Sequence, residues 1–237
     1  MDIRKGKLLK DGNTKRIFST NREDVLILSF KDIIMLGDKK ETIKGKNIGK
    51  YANSISSQVF RFLENYHIPT HFVESSKPGE MSIRNLAMVP ISICVWNCAS
   101  GSLCKRFGFE KGKTFDFPII ELYLKNELLH HPMIHYDHAL AMGLIQQHHV
   151  QELDRLVRKI NAVLKDFFAR RNLKMADLSL EFGYLKDEIV LGDEITPKTF
   201  HLLDMQQNGA LDFNRFQTGR RDPKEIMEEL YNRIALH

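Results

Sequence analysis

Residues 180–194, LEFGYLKDEIVLGDE, leave the chain little local choice of structure. Leu180, Phe182 and Tyr184 supply apolar strand material on one side, Ile189, Val190 and Leu191 on the other, and Lys186-Asp187 lies between them. Two such runs around a short polar turn read as a β-hairpin. Two registers remain open. A three-residue loop sets Glu181 across from Asp193; a two-residue loop sets it across from Gly192, where the glycine invites a bulge. Either register brings both carboxylates to one end of the hairpin. Paired carboxylates with few neutralising neighbours suit a hard divalent cation, most often Mg2+ carried by a nucleoside triphosphate. Two solvated acids beside a turn would give the same spacing.

The rest of the chain alternates β-structure with amphipathic helices. Residues 7–30 read as strands broken by turns at Asp11-Gly12-Asn13 and Asn21–Asp24. The first turn, GNTKRIF, places Lys15 and Arg16 just beyond a glycine, so its backbone amides can cradle phosphate while lysine supplies charge. An ordinary hairpin has the same pattern. Ile48, Tyr51, Ile55, Val59, Phe62 and Leu63 recur at helical spacing and predict a helix over Lys46–Tyr66. Strands are expected at Thr70–Val73 and at Met88–Val95, the latter interrupted early by Pro90. Trp96–Ser102 then reads as a small-residue turn. Leu153, Leu156, Val157, Ile160, Val163, Leu164 and Phe167 predict a long helix over Val150–Arg171. Asp222, Pro223 and Glu225 open a last helix with a buried face of Ile226, Met227, Leu230, Tyr231 and Ile234. This order predicts an α+β protein of two lobes with a cleft between them: a β-rich lobe over 1–87 and an α+β lobe over 88–237.

With 237 residues, 43% of them hydrophobic, the chain can bury a full core. No apolar run reaches membrane-spanning length and the first residues carry no signal-peptide core, so a cytoplasmic location and no membrane partner are the expectation. Cys94, Cys98 and Cys104 have no zinc spacing, and an odd count of three argues for free thiols. A net charge of +5 points to an anionic partner. The lysines are spread out and not clustered with aromatics, which makes nucleic acid unlikely as that partner and small phosphorylated ligands sufficient. The histidines at 130, 131, 135, 138, 148 and 149 include no His-x3-His pair on an obvious helix with a third ligand.

Taken in order, MVPISICVWNCASGSLCKRFG (88–108), ELYLKNELLHHPM (121–133) and LSLEFGYLKDEIVLGDEITP (178–197) resemble the SAICAR synthetase family, and the likeness runs from Gly12 to about Gln217. The resemblance implies a fold similar to protein kinases at the ATP-binding lobe and an ATP-dependent ligase of purine biosynthesis. ATP would phosphorylate the carboxylate of a carboxyaminoimidazole ribotide, and the aspartate amine would displace phosphate to form the amide. It also implies roles for particular residues. Glu181 and Asp193 match acids associated with the metal of Mg2+-ATP, and Gly12, Asn13 and Lys15 fall on the nucleotide phosphate loop. Asp38 matches an acid of a Gly-Asp-Gly turn, Lys125 the lysine of a Leu-Lys-Asn motif, and Asp177 an acid near the imidazole. Trp96, Asn97, Ser102, His131 and His201 fall on substrate-contacting positions. The implied partners are small molecules, with self-association left open.

The departures from the family pattern fall mostly on charge. Asn13 replaces the loop's first lysine, Ile33-Ile34-Met35 replaces Asp-Thr-Ser, and Lys39 stands where glycine is usual. Trp96 and Cys98 replace two arginines, His131 an aspartate, Ser179 a lysine and His201 an arginine. Arginine holds phosphate with a fixed, always-charged fork that tryptophan and histidine lack. Each lost bond to a charged group costs roughly 1.5–3 kcal/mol, so losses at positions 96 and 201 together would weaken ribotide binding by about two to four powers of ten. Lys105, Arg106 or Arg220 could compensate. The family reaction therefore stands beside two alternatives: an amide ligase for an acid without phosphate, and a nucleotide-binding protein that has lost catalysis.

Overall fold

In the computed structural model, which describes residues 2–36, 41–205, 211–212 and 222–235, the chain forms two compact units. The first begins with β1 (Lys5–Asp11), β2 (Lys15–Thr20), β3 (Val25–Phe30), the hairpin of β4 (Ile33–Leu36) and β5 (Glu41–Lys44), helix α1 (Ile48–Asn65), β6 (Phe72–Lys77) and β7 (Glu80–Arg84). Its antiparallel sheet has the order β1-β2-β3-β7-β6, with β4 and β5 paired separately. The spacing of Ile48, Tyr51, Ile55, Val59 and Leu63 gives α1 one buried stripe, and it packs against β3, β6 and β7. Gly49 makes that approach close, since a Cβ there would stand 2.7 Å from the Phe30 carbonyl oxygen.

The second unit contains β8 (Ala87–Cys98), α2 (Gly101–Phe107), β9 (Thr114–Leu124), β10 (Met133–Ile134), α3 (Tyr136–Ala141), α4 (Gln147–Ala169), β11 (Leu173–Leu185), β12 (Glu188–Gly192), β13 (Phe200–Asp204) and β14 (Leu211–Asp212). Its antiparallel sheet runs β10-β9-β8-β11-β13-β14, with β12 also paired to β11. Between their register shifts, the central strands β8 and β11 alternate over Ile91–Trp96 and Asp177–Phe182. Ile91, Ile93 and Val95, with Leu178, Leu180 and Phe182, are buried on the face covered by α4. The intervening residues, Ser92, Cys94 and Trp96 with Asp177, Ser179 and Glu181, pair across the ladder on the other face. An antiparallel sheet with one apolar and one polar face follows from that period of two.

Two sequence expectations are redrawn. The chain does not divide once at 87/88: Glu194–Lys198 and the last helix, α5 (Pro223–Ala235), belong with the N-terminal unit. The cause is packing, for Ile226, Met227, Leu230 and Ile234 of α5 are buried where it meets α1, with the Tyr51 and Tyr231 rings 5.7 Å apart. Trp96–Ser102 is not one turn. Strand β8 runs through Trp96, Asn97 and Cys98, and Ser102 lies in α2. Pro90 leaves β8 continuous but interrupts its pairing with β11 as expected: Glu181 faces Ser92 and Gly183 faces Met88, so the register shifts across Val89-Pro90-Ile91, and the exposed Pro90 accepts the Lys125 N–H at its carbonyl at 2.8 Å.

Candidate active site

The polar face of the second sheet is built by register. Trp96, Asp177 and His201 stand in one cross-strand row over β8, β11 and β13. Asp177 is 6% exposed; it accepts a hydrogen bond from Ser100 Oγ at 2.6 Å, and its other oxygen lies 2.5 Å from His201 Nδ1. A buried carboxylate needs such partners. One row further along, Cys94 pairs with both Glu121 and Ser179.

Glu121, at 7% exposure, is the hub of this face. It accepts from Trp96 Nε1 at 2.9 Å, Tyr123 Oη at 2.7 Å, and Arg106 Nη1 and Nη2 at 3.0 and 2.7 Å. Burial alone would raise its pKa, but the bonds from Arg106, Tyr123 and Trp96 outweigh burial and hold it below the usual glutamate value. Burial, then the Glu121 charge, pushes the Tyr123 phenol up. Burial likewise pushes the Cys94 thiol up to about 11, with its sulfur 3.2 Å from Ser179 Oγ. Trp96 therefore binds an acid of its own chain. Arg106, one of the residues expected from the sequence to compensate at position 96, commits both its terminal nitrogens to that same acid.

The late hairpin adopts the two-residue register. Leu185 pairs with Glu188, Lys186 takes a positive φ of 60°, and Glu181 faces Gly192. The register shift falls on the β8 side, between Glu181 and Gly183, not at Gly192. Asp193 follows at φ 62°. That left-handed conformation costs a non-glycine residue of order 1 kcal/mol, and aspartate tolerates it better than most residues. The Lys125 ammonium forms an ion pair with the Glu181 carboxylate. Carboxylate oxygens at Glu181 and Asp193 are donors of the type Mg2+ takes, so the donor chemistry fits that ion.

In the first unit, the β1–β2 turn closes through Gly12 N–H to the Lys15 carbonyl at 2.9 Å. Lys15 Nζ lies 2.9 Å from Glu194 Oε1, a carboxylate whose side chain is 2% exposed. Thr14 Oγ1 is 3.5 Å and Lys198 Nζ 3.4 Å from the same oxygen, and Thr196 Oγ1 donates to Oε2 at 3.0 Å. Glu194 and Lys198 did not stand out in the sequence. Their one signal is a third acid directly after Gly192-Asp193, and its pairing with the first turn spans 179 positions.

Other candidates are placed apart. Asn97 lies one step along β8 from Trp96, so it points to the α4 face, where its amide and that of Asn161 exchange two bonds of 2.9 Å. Its buried side chain is a sheet-to-helix tie, contrary to the substrate-contacting position expected. Ser102 is exposed in the first turn of α2. His131 is exposed too, with φ 52°, closing a loop through its N–H to the Asn126 carbonyl at 3.0 Å. Asp38 lies outside the described residues. From the histidine-rich stretch, His148 and His149 come together with Asp187, with ligand atoms within 4.8 Å of one another. His149 Nε2 lies 3.1 Å from the Asp187 carbonyl oxygen, tying α4 to the hairpin. No helix among the described residues is long and apolar enough to cross a membrane.

An α+β chain with a carboxylate-rich sheet face and a lysine-bearing glycine turn has the equipment of an enzyme acting on small anionic molecules. The chain belongs to the SAICAR synthetase family, whose model matches residues 8–234. A phosphoribosylaminoimidazole-succinocarboxamide synthase of Chlorobium limicola is 38% identical over 234 residues, 98% of each chain. A SAICAR synthetase solved in complex with ADP superposes with a TM-score of 0.90 at 34% identity, covering 96% of this chain and 97% of its own. The phosphoribosylaminoimidazole-succinocarboxamide synthase of Ehrlichia chaffeensis superposes with a TM-score of 0.91 at 30% identity, covering 97% of this chain and 98% of its own.

Proposed function

We propose that the chain catalyses the reaction of its family, an ATP-dependent amide ligation of aspartate to a carboxyaminoimidazole ribotide in purine biosynthesis. The observation that carries the reading is the single polar sheet face. It aligns Asp177 and His201 with Trp96, and Glu181 of β11 forms an ion pair with Lys125, which directly follows β9. The family relationship supports it along the whole chain.

Phosphoryl transfer to a carboxylate requires positioning and neutralisation of phosphate charge, with little covalent work for the protein. In this reading ATP binds at the Gly12-Asn13-Lys15 turn, where Lys15 is held in place by Glu194 and balances phosphate charge. The ADP bound by the solved relative supports a nucleotide site. Glu181 and Asp193 would hold Mg2+, which when bound supplies charge neutralisation at the phosphates. Lys125, next to Glu181, keeps a positive charge at the same end of the hairpin. Asp177 and His201 orient the ribotide, with Ser102 and His131 at its margins. Substrates are small molecules, and the location is cytoplasmic.

The test follows ADP release with carboxyaminoimidazole ribotide, aspartate and Mg2+-ATP. Turnover that requires all three supports the reading. No turnover at saturating concentrations of each sinks it.

A further inference from the structure

We infer that His148, His149 and Asp187 form a binding site for a divalent cation of the zinc kind, one that ties the first turn of α4 to the tip of the β11–β12 hairpin. The site lies within the second unit and is independent of the functional reading above. The sequence offers two adjacent histidines and no third ligand. Folding supplies the third from the hairpin turn and brings one donor atom from each side chain within 4.8 Å of the others.

The surroundings of His149 carry the inference. Its side chain is 2% exposed, and its ring is packed against those of His148 and Tyr184, with centroids 3.9 and 4.9 Å away. Its Nε2 lies 3.1 Å from the Asp187 carbonyl oxygen and 3.8 Å from Asp187 Oδ1. Its Nδ1 is buried without a hydrogen-bond partner among the described residues. A buried imidazole so sparsely partnered calls for an explanation, and an ion is one. Two imidazole nitrogens and a carboxylate are the donor set of zinc sites that keep a fourth position for water. Donors about 2.0–2.1 Å from such an ion stand roughly 3.3–3.4 Å apart in a tetrahedron. The 3.8 Å separation is close to that edge, and His148 and Asp187 are exposed, so their side chains can turn to close the rest. The positive end of α4 works against a cation in its first turn. Asp187 and Glu152 offset it, both lying within electrostatic reach of Tyr184 beside His149. The imidazoles select a zinc-like ion over Mg2+, which takes oxygen donors.

The experiment is Zn2+ calorimetry on the untagged, chelator-treated full chain and on His148→Ala and Asp187→Asn. His130→Ala, from elsewhere in the histidine-rich stretch, is the control, and each protein is also unfolded thermally in zinc and in chelator. The parent should bind one Zn2+ per chain, and its Tm should rise about 5–11 °C at free Zn2+ about one hundred times its Kd. Binding should weaken about ten- to a hundredfold or more in His148→Ala and Asp187→Asn, since loss of an outer partner alone costs that much. Their Tm shifts should shrink accordingly, while His130→Ala matches the parent. Asp187→Asn keeps the backbone carbonyl that His149 meets, so a purely structural tie predicts the parent's zinc response in this variant. That result would overturn the inference. So would a parent Tm that is the same in zinc and in chelator, or a loss in His130→Ala as large as that in His148→Ala.

Discussion

Replacing Glu121 by glutamine tests whether the polar sheet face is organised by one buried charge. The side chain is 6% exposed and takes four donors: two from Arg106 and one each from Trp96 and Tyr123. Glutamine keeps the shape but offers one acceptor oxygen and turns an NH2 towards a guanidinium or an indole N–H. At least two of the four bonds go, and bonds to a charged group are worth roughly 1.5–3 kcal/mol each. A loss of about 3–5 kcal/mol follows, the size found when one partner of a buried ion pair is removed. For a chain of 237 residues that corresponds to a fall in Tm of about 6–20 °C. The pH dependence fixes the cause. Folding lowers the pKa of Glu121, so its stabilisation is complete above the ordinary glutamate value near 4.5 and is lost as pH falls through the lower folded value. The parent's advantage over Glu121→Gln should therefore be full at pH 7 and shrink in acid, since glutamine does not titrate. Urea unfolding followed by tryptophan emission reads the cluster directly, because Trp96 is the single tryptophan and bonds to Glu121. A difference below about 1 kcal/mol at pH 7, smaller than a single such bond, would refute the reasoning. So would a difference unchanged down to the acid limit of folding.

Asn97→Ala should cost about 1–3 kcal/mol in urea unfolding by leaving the Asn161 amide unpartnered, with little change in KM for the ribotide. An unaltered stability would show that the amide pair is not a structural tie. Glu181→Gln should weaken Mg2+-dependent nucleotide binding at least tenfold while leaving Mg2+-free binding in place, read by calorimetry with and without chelator. Equal losses in both arms would remove the metal role. Among the three free thiols, Cys94 and Cys98 should both react more slowly than Cys104 with a disulfide reagent at pH 8, because burial pushes the Cys94 thiol up to about 11 and also raises that of Cys98, which is 1% exposed. Mass spectrometry of partly labelled protein would refute this if Cys94 or Cys98 carried the label before Cys104.

What the sequence made legible and what it hid divide along one physical line. The helices over Ile48–Asn65 and Gln147–Ala169 were readable because an apolar stripe at helical spacing needs no knowledge of its partner. The late hairpin was readable for the same reason, though its register was settled only by the two-residue turn that pairs Leu185 with Glu188. Asp177 and His201 were placed by resemblance, and strand pairing supplies the reason they meet. Features that depend on contacts distant in sequence were hidden. Glu194 finds Lys15 across 179 positions, and α5 returns to pack on α1 because the two helices bury each other's apolar stripes. Asn97 shows the same limit at short range. Motif adjacency joins it to Trp96, yet the alternation of β8 sends the two side chains to opposite faces, one to the carboxylate hub and one to α4. A substitution within Trp96-Asn97-Cys98 therefore has to be read by face. A substitution at Trp96 is a matter for the polar face, met there by Glu121 and Arg106, whereas Cys98 is 1% exposed, with its sulfur 3.9 Å from the Ala176 carbonyl oxygen. An arginine at position 98 would have to be buried where Cys98 now lies within electrostatic reach of Asp177 and Lys174, and placing arginine at 96, at 98 and at both would separate that packing cost from any gain in phosphate binding at position 96.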